Sequence, residues 1–215
     1  VIVSMDLANF FPTFTFKRVK GIFRQAGYMD GIATLLALLC TEAPREVVED
    51  QGERFYIAMG PRCLPQGSPA SPALTNTACL RLDRRLTAFA EKHGWRYTRY
   101  ADDLTFSLPK DRSTEAPDLS VQIKQLIGTV HAVTEGEGLK VRTDKTHVMR
   151  PGNRQKVTGL VVNGEDHPRA PRALRRKVRA MIHNLKTGKG LHNGDTLNHL
   201  TGLIAFIHMC DPQQG

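Results

Sequence analysis

Trp95-Arg96-Tyr97-Thr98-Arg99-Tyr100-Ala101-Asp102-Asp103-Leu104-Thr105-Phe106-Ser107-Leu108 is the stretch on which the fold turns. Aromatic and β-branched residues flank a pair of acids on both sides. The segment therefore reads as two short strands with the acids at the tight turn of a hairpin. Asp suits a turn, because its short side chain can bond its own backbone. That accounts for one Asp. Two adjacent carboxylates in a basic chain repel each other, and a nearby cation is needed to offset the repulsion. A divalent metal would supply it through the oxygen ligands that Mg²⁺ prefers. An isolated Asp-Asp pair is a common accident, so the reading requires a third acid.

Around this hairpin lies a chain of 215 residues with 40% apolar content, enough for one large domain or two small ones. It contains no run of eighteen apolar residues, so no membrane span is expected. Val1-Ile2-Val3-Ser4-Met5 lacks the basic flank and cleavage site of a signal peptide. It reads as a strand entered midway, and a fragment of a longer protein is expected. Cys40, Cys63, Cys79 and Cys210 are scattered without a Cys-x-x-Cys pair. They suit buried side chains in a reducing cytoplasm rather than a zinc site or a disulfide framework. The net charge of +9 favours a polyanionic partner, nucleic acid before a membrane surface. Between His167 and Gly194 there is no acid, but there are Arg169, Arg172, Arg175, Arg176, Lys177, Arg179, Lys186 and Lys189.

Val1 to Leu7 reads as a buried strand that carries Asp6 near its end and is closed by Phe10-Phe11-Pro12, since Pro cannot continue a ladder. A helix follows from the cap Thr15 to about Gln25, stopped by Gly27, and a second covers Asp30 to Leu39. Glu46–Glu49 and Arg54–Ile57 form a hairpin around Asp50-Gln51-Gly52. Pro65-Gln66-Gly67-Ser68-Pro69-Ala70-Ser71-Pro72 fixes an irregular loop, with Pro69 and Pro72 in the first turn of a helix to about Glu91. Another helix is expected from Ser113 to about Glu135. Short strands at Leu139–Val141 and His147–Met149 flank Thr143-Asp144-Lys145. A hairpin over 156–164 turns at Asn163-Gly164. Beyond the composition shift at Pro168–Pro171, one helix places Leu174, Val178, Met181, Ile182 and Leu185 on a single face, and Thr196–Met209 forms the last helix. The order implies an α+β fold with an antiparallel sheet, helices packed on one of its faces, and a small helical second domain. The boundary falls between 1–167 and 168–215.

Asp6 is the third acid. If strand 1 pairs with the 95–108 hairpin, its carboxylate approaches Asp102 across 96 residues of sequence. Three carboxylates from two strands would then suit a two-cation site for in-line phosphoryl displacement. Asp6 with Phe11 five residues later, Leu64-Pro65-Gln66-Gly67-Ser68-Pro69-x-Ser71-Pro72, and Tyr100-Ala101-Asp102-Asp103 together resemble the palm motifs of reverse transcriptases, in the right order. The resemblance covers essentially the whole chain.

It implies that Asp6, Asp102 and Asp103 are the catalytic metal ligands for two Mg²⁺ ions, with Mn²⁺ able to substitute, and that the Leu7 carbonyl adds a contact. Phe11 would be the gate against a ribose 2′-OH. Gln66 and Gly67 would pack on the incoming nucleotide and template, and Tyr100 would touch the primer end. Lys145 would protonate the pyrophosphate leaving group. Val157-Thr158-Gly159 is similar to a triplet of the retron branch, placed where a primer-grip hairpin belongs. Gly202-Leu203-Ile204-Ala205-Phe206-Ile207 is similar to the thumb of the same branch. Arg172, Arg175, Arg176 and Arg179 would lie on template–primer phosphates.

The implied activity is RNA-directed DNA synthesis from deoxynucleoside triphosphates on a structured RNA template, with an RNA–DNA duplex as product and a retron effector protein as partner. The implied setting is the bacterial cytoplasm, in antiviral defence, with no membrane association. The fingers segment is expected upstream of residue 1. Two alternatives stay open from sequence: a group II intron or CRISPR-associated reverse transcriptase, and a non-catalytic RNA-binding palm and thumb.

Overall fold

The computed structural model describes residues 1–109, 118–163, 167–191 and 194–210. By its internal contacts the chain forms two compact units. One is Val3–His147, and the other joins Val148–Gly215 with Val1–Ile2. The composition shift at Pro168 lies inside the second unit.

The larger unit is built from β1 (Ile2–Leu7), α1 (Phe10–Thr13), α2 (Phe16–Gln25), α3 (Asp30–Cys40), β2 (Arg45–Asp50), β3 (Glu53–Ala58), α4 (Ala70–Ala78), α5 (Leu80–Lys92), β4 (Arg96–Tyr100), β5 (Asp103–Ser107), α6 (Leu119–Gly136) and β6 (Val141–Met149). Four strands make one sheet in the order β4-β5-β1-β6. Val3, Met5 and Leu7 of β1 are fully buried, while Ser4 and Asp6 between them are only partly so. Side chains alternate across a strand, so Asp6 leaves the sheet on the face opposite these core residues. Leu104 and Phe106 of β5 are buried too, as are Leu82 and Leu86 of α5 and Leu126 and Val130 of α6. Truncating one such leucine to alanine costs about 2–5 kcal/mol.

Helices α5 and α6 stop as their glycines dictate. Gly94 and Gly138 take φ of 75° and 71°, and the N–H groups of Trp95 and Leu139 reach back to the carbonyls of Ala90 and Thr134. This is the left-handed cap that glycine adopts without steric cost. At the other end of α6, the Asp118 side chain accepts from Ser120 N–H at 3.2 Å. The Ser113–Pro117 portion of the expected helix lies outside the described residues. Thr15 caps α2 by position, but its side chain makes no capping bond.

Four expectations give way to the structure. Residues 10–13 close β1 by forming a helical turn, with Pro12 inside the first turn where no N–H is needed. The helix expected from Pro69 to Glu91 is divided at Cys79. Thr75 and Thr77 hydroxyls back-bond to carbonyls of the preceding turn, a habit that bends helices. Residues 141–149 form one continuous strand running through Thr143-Asp144-Lys145. The β2–β3 hairpin matches its expectation, turning at Gln51-Gly52 with both φ positive.

The smaller unit holds β7 (Lys156–Val157), β8 (Leu160–Val161), α7 (Arg172–Lys186) and α8 (Leu197–Cys210). Here lies the fourth correction. The hairpin turns at Thr158-Gly159, with φ of 45° and 87°, and not at Asn163-Gly164. Gly164 itself lies outside the described residues. The short register Val157↔Leu160 leaves only those two residues to reverse the chain, and Val161 then bridges to Arg169. Val178 and Met181 of α7 pack with Leu200 and Ile207 of α8 and with Ala170, flanked by the half-buried Leu174 and Ile182. Leu185, expected on that face, is 37% exposed.

Candidate active site

The end of β1 is laced to the turn of the β4–β5 hairpin by one backbone bond, Leu7 N–H to the Asp102 carbonyl at 3.0 Å. On the other side Ala8 N–H donates to the Lys140 carbonyl at 2.7 Å, fixing the entry to β6. These two bonds convert three distant stretches of sequence into one site. Pairing of Tyr100 with Asp103 leaves Ala101-Asp102 as the turn, so Asp102 sits at the tip and Asp103 opens β5. Ala101 has φ of 51°, which a residue with a Cβ adopts only under strain.

That strained turn has a buried anchor. Arg99, whose side chain is 6% exposed, donates to the Ala101 carbonyl at 3.1 Å and to both Asp83 oxygens at 2.9 and 2.7 Å. The Tyr97 hydroxyl donates to Asp83 at 2.8 Å. Burial, and after it the charge of Asp83, pushes the Tyr97 phenol far above its ordinary value, while the bond to Asp83 raises the Arg99 guanidinium. The two-pronged Arg99–Asp83 pair is the stronger kind of charge-assisted bond.

A cleft of about 240 Å³ is lined by Asp6, Leu7, Asn9, Phe10, Phe11, Gln66, Asp102, Arg142 and Lys145. Six residues singled out in the sequence (Asp6, Leu7, Phe11, Gln66, Asp102 and Lys145) therefore meet there. Phe10 is buried against Phe14 at 5.2 Å between ring centroids, leaving Phe11 partly exposed at the cleft. Gln66 is exposed in its loop, and Gly67 beside it takes φ of 87°. Two bonds fix the loop, Ser71 hydroxyl to the Pro65 carbonyl at 2.8 Å and Leu64 N–H to the Phe14 carbonyl at 3.1 Å. Asp103, Gly67 and Tyr100 do not line the cleft, although each adjoins it in sequence; Tyr100 is 71% exposed. Val157, Thr158, Gly159 and the α7 arginines belong to the other unit. There Arg172, Arg176 and Arg179 are exposed and Arg175 is half-buried.

Charge in the cleft is tightly opposed. Lys145 Nζ lies 3.2 Å from one Asp6 oxygen, and Arg142 Nε lies 4.0 Å from the other. Arg142 is also held by Asp144, at 2.9 and 3.4 Å. Burial raises the Asp103 carboxyl above its ordinary value, the charges of Asp102 and then Asp6 raise it further, and Lys145 pulls the other way. Arg142 was not legible as a site residue, because the sequence suggested a break in the strand that carries it. Its signal was position alone, three residues before Lys145. The Arg99–Asp83 anchor had no sequence signal across its 16 residues of separation.

Asp6, Asp102 and Asp103 offer only carboxylate oxygens, and the mutual repulsion felt at Asp103 is what a hard divalent cation would relieve. The donor chemistry therefore fits such an ion. Among the described residues, no three His, Cys, Asp or Glu side chains already stand close enough to cage one.

Residues 1–181 match the reverse transcriptase (RNA-dependent DNA polymerase) family model, and the chain belongs to that family. The retron Mx162 reverse transcriptase of Myxococcus xanthus is 52% identical over 100% of this chain and 45% of its own. The retron Mx65 enzyme of the same organism is 39% identical over 100% of this chain and 47% of its own. The retron Ec86 reverse transcriptase of Escherichia coli is 31% identical over 98% of this chain and 56% of its own. All three relatives are retron reverse transcriptases, and the chain spans about half of their length. Its fold is similar to that of telomerase from Candida albicans, with a TM-score of 0.53 at 12% identity, over 97% of this chain and 39% of that one. Among the described residues, no helix is long and apolar enough to cross a membrane.

Proposed function

We propose that this chain carries the polymerising site of a retron-type RNA-directed DNA polymerase, which extends a primer on an RNA template with deoxynucleoside triphosphates. The observation that carries the reading is the single cleft in which Asp6, Asp102, Phe11, Gln66 and Lys145 meet. Asp6, Asp102 and Asp103 would hold Mg²⁺, with the Leu7 carbonyl as a further donor. The bound ions supply activation of the attacking hydroxyl and neutralisation of the triphosphate. Phe11 stands at the cleft wall, where it would crowd a ribose 2′-OH. Gln66 and Gly67 would lie along the nucleotide and template, and the exposed Tyr100 would meet the primer end.

Lys145, which borders the cleft, would give up a proton to the pyrophosphate leaving group once Asp6 is otherwise engaged. Residues 168–215 are read as a thumb. The exposed Arg172, Arg176 and Arg179 would bind duplex phosphates, with Arg175 half-buried beside them and the Val157-Thr158-Gly159 hairpin against the primer. A structured RNA, a retron effector protein, the bacterial cytoplasm and a role in antiviral defence complete the proposal.

The test is primer extension on an RNA template by the full-length protein and its Asp102→Asn variant. Synthesis should fall by at least a hundredfold, a rise of roughly 2.7 kcal/mol in the barrier. Undiminished synthesis would sink the assignment.

A further inference from the structure

A cavity of about 700 Å³, separate from the aspartate cleft, lies where α2 meets α4 and α5. Its walls include Arg18, Arg81, Arg84, Gln25 and Thr77, with no acid among its lining residues. The floor exists because small residues stand there: Gly21, Ala26 and Ala78 leave the space that larger side chains would fill. Division of the expected long helix at Cys79 falls at the same place, since Thr77, Ala78 and Leu80 all line the cavity.

One residue organises the cations. Glu137, whose side chain is 13% exposed, takes Arg81 at 3.1 Å and Arg85 at 2.8 Å on its carboxylate, and Arg18 at 3.1 Å on its carbonyl. Arg18 is fixed a second time, its guanidinium 4.6 Å above the Phe14 ring. Support of the α6 C-terminus accounts for Arg18 and Arg85, because cations there meet the negative end of the helix. It does not account for Arg84, which is exposed and forms no ion pair among the described residues. Three guanidinium groups, those of Arg18, Arg81 and Arg84, therefore line the groove with no acid among its lining residues, beside the apolar Ile22 and Leu80.

We propose that this groove is a second RNA-binding site, taking the sugar–phosphate backbone of a structured RNA at a place distinct from the polymerising cleft. Arginine is the side chain best matched to phosphate oxygens, and its orientation by Glu137 before binding lowers the entropy lost on contact. The apolar floor suits ribose faces. Gln25 and Thr77 supply the amide and hydroxyl with which a 2′-OH can pair. Contacts of this kind hold and orient an RNA without reading its sequence.

Two variants test the groove without touching the cleft. Arg84→Gln combined with Arg81→Gln removes two cations. Gly21→Glu sets a carboxylate into the groove from an open helical position, where an added Cβ would meet nothing within 4 Å. Binding of a fluorescein-labelled RNA hairpin is followed by anisotropy across a salt series, with melting temperature as the folding control. The double variant should bind roughly five- to tenfold more weakly, and its log affinity should depend on log salt with a slope shallower by about one per lost cation. Gly21→Glu should weaken binding at unchanged melting temperature. Affinity and salt slope equal to wild type in both folded variants would overturn the proposal, as would equal losses for the hairpin and for a poly-aspartate competitor, which would mark a general polyanion surface. Asp102→Asn should bind the hairpin as wild type does. Loss of the groove and failure of the polymerase reading are thereby told apart.

Discussion

Lys145 Nζ lies 3.2 Å from Asp6 Oδ2, so the carboxylate expected to bind catalytic cations is already engaged by an ammonium on β6. A divalent ion taken up at Oδ2 would displace that contact. The Lys145 side chain is 47% exposed, which limits the pair to about 1 kcal/mol or less. Lys145→Met should lower the Mg²⁺ concentration that half-stabilises the fold by up to about fivefold in a thermal-shift titration. Asp6→Asn should abolish the shift. A Lys145→Met curve that overlays wild type would show that the two cations do not compete.

Asp103 carries the opposite tension. Its proton is held more tightly in the folded chain than in the unfolded one, first through burial and then through Asp102 and Asp6. Between the ordinary carboxylate value and the raised one, the folded state binds more protons. Stability therefore falls as pH rises through that window and stays level above it. At neutral pH the ionised Asp103 is a net cost, so Asp103→Asn should melt higher than wild type, by roughly 1–3 °C. Melting curves from pH 3 to 8 should also lose the fall across the window. An Asp103→Asn protein that melts lower at pH 7 would contradict this account.

Much of this was legible in the sequence because it rests on local chemistry. The apolar stretch of 1–7 and the turn residues at Gln51-Gly52 each specify their own backbone, and so do Gly94 and Gly138 where two helices stop. The three palm motifs singled out Asp6 and Asp102, which line one cleft, and Asp103, which opens β5 beside it. What stayed hidden depends on partners far away in sequence. The strand through Thr143-Asp144-Lys145 has three exposed polar residues in a row, a pattern that by itself reads as a loop; at the edge of the sheet it is held through pairing with β1. The turn at Thr158-Gly159 was masked by Asn163-Gly164, a stronger turn signal five residues on.

The same dependence on distant partners governs the turn that bears Asp102. Arg99 ties the Ala101 carbonyl to Asp83 on α5, and Tyr97 shares that carboxylate. Asp83→Ala would leave the guanidinium, 6% exposed, without its carboxylate, at a cost of about 3 kcal/mol. The melting temperature should fall by roughly 6–12 °C. Activity measured well below the new midpoint should fall as well, because the released carbonyl lets the strained turn relax. Asp83→Asn keeps one acceptor oxygen for Tyr97 and Arg99 but sets an amide NH2 where the second oxygen accepted, so it should recover only part of both losses. Full activity in a folded Asp83→Ala protein would show that the turn holds itself.

Thr158 separates stability from function in the second unit. A β-branched residue at φ of 45° is strained, and the two-residue turn it shares with Gly159 favours Asn-Gly at those positions. Thr158→Asn should therefore stabilise the hairpin by about 1 kcal/mol, read as a small rise in melting temperature. If the triplet meets the primer as proposed, the threonine methyl and hydroxyl contact it at the tip. The same variant should then shorten the products of each binding event, in single-turnover extension with a trap for released enzyme. A stabilised variant with unchanged product lengths would leave Thr158 a turn residue and remove it from the primer contact. A destabilised one would mean that its hydroxyl makes a bond worth more than the backbone strain.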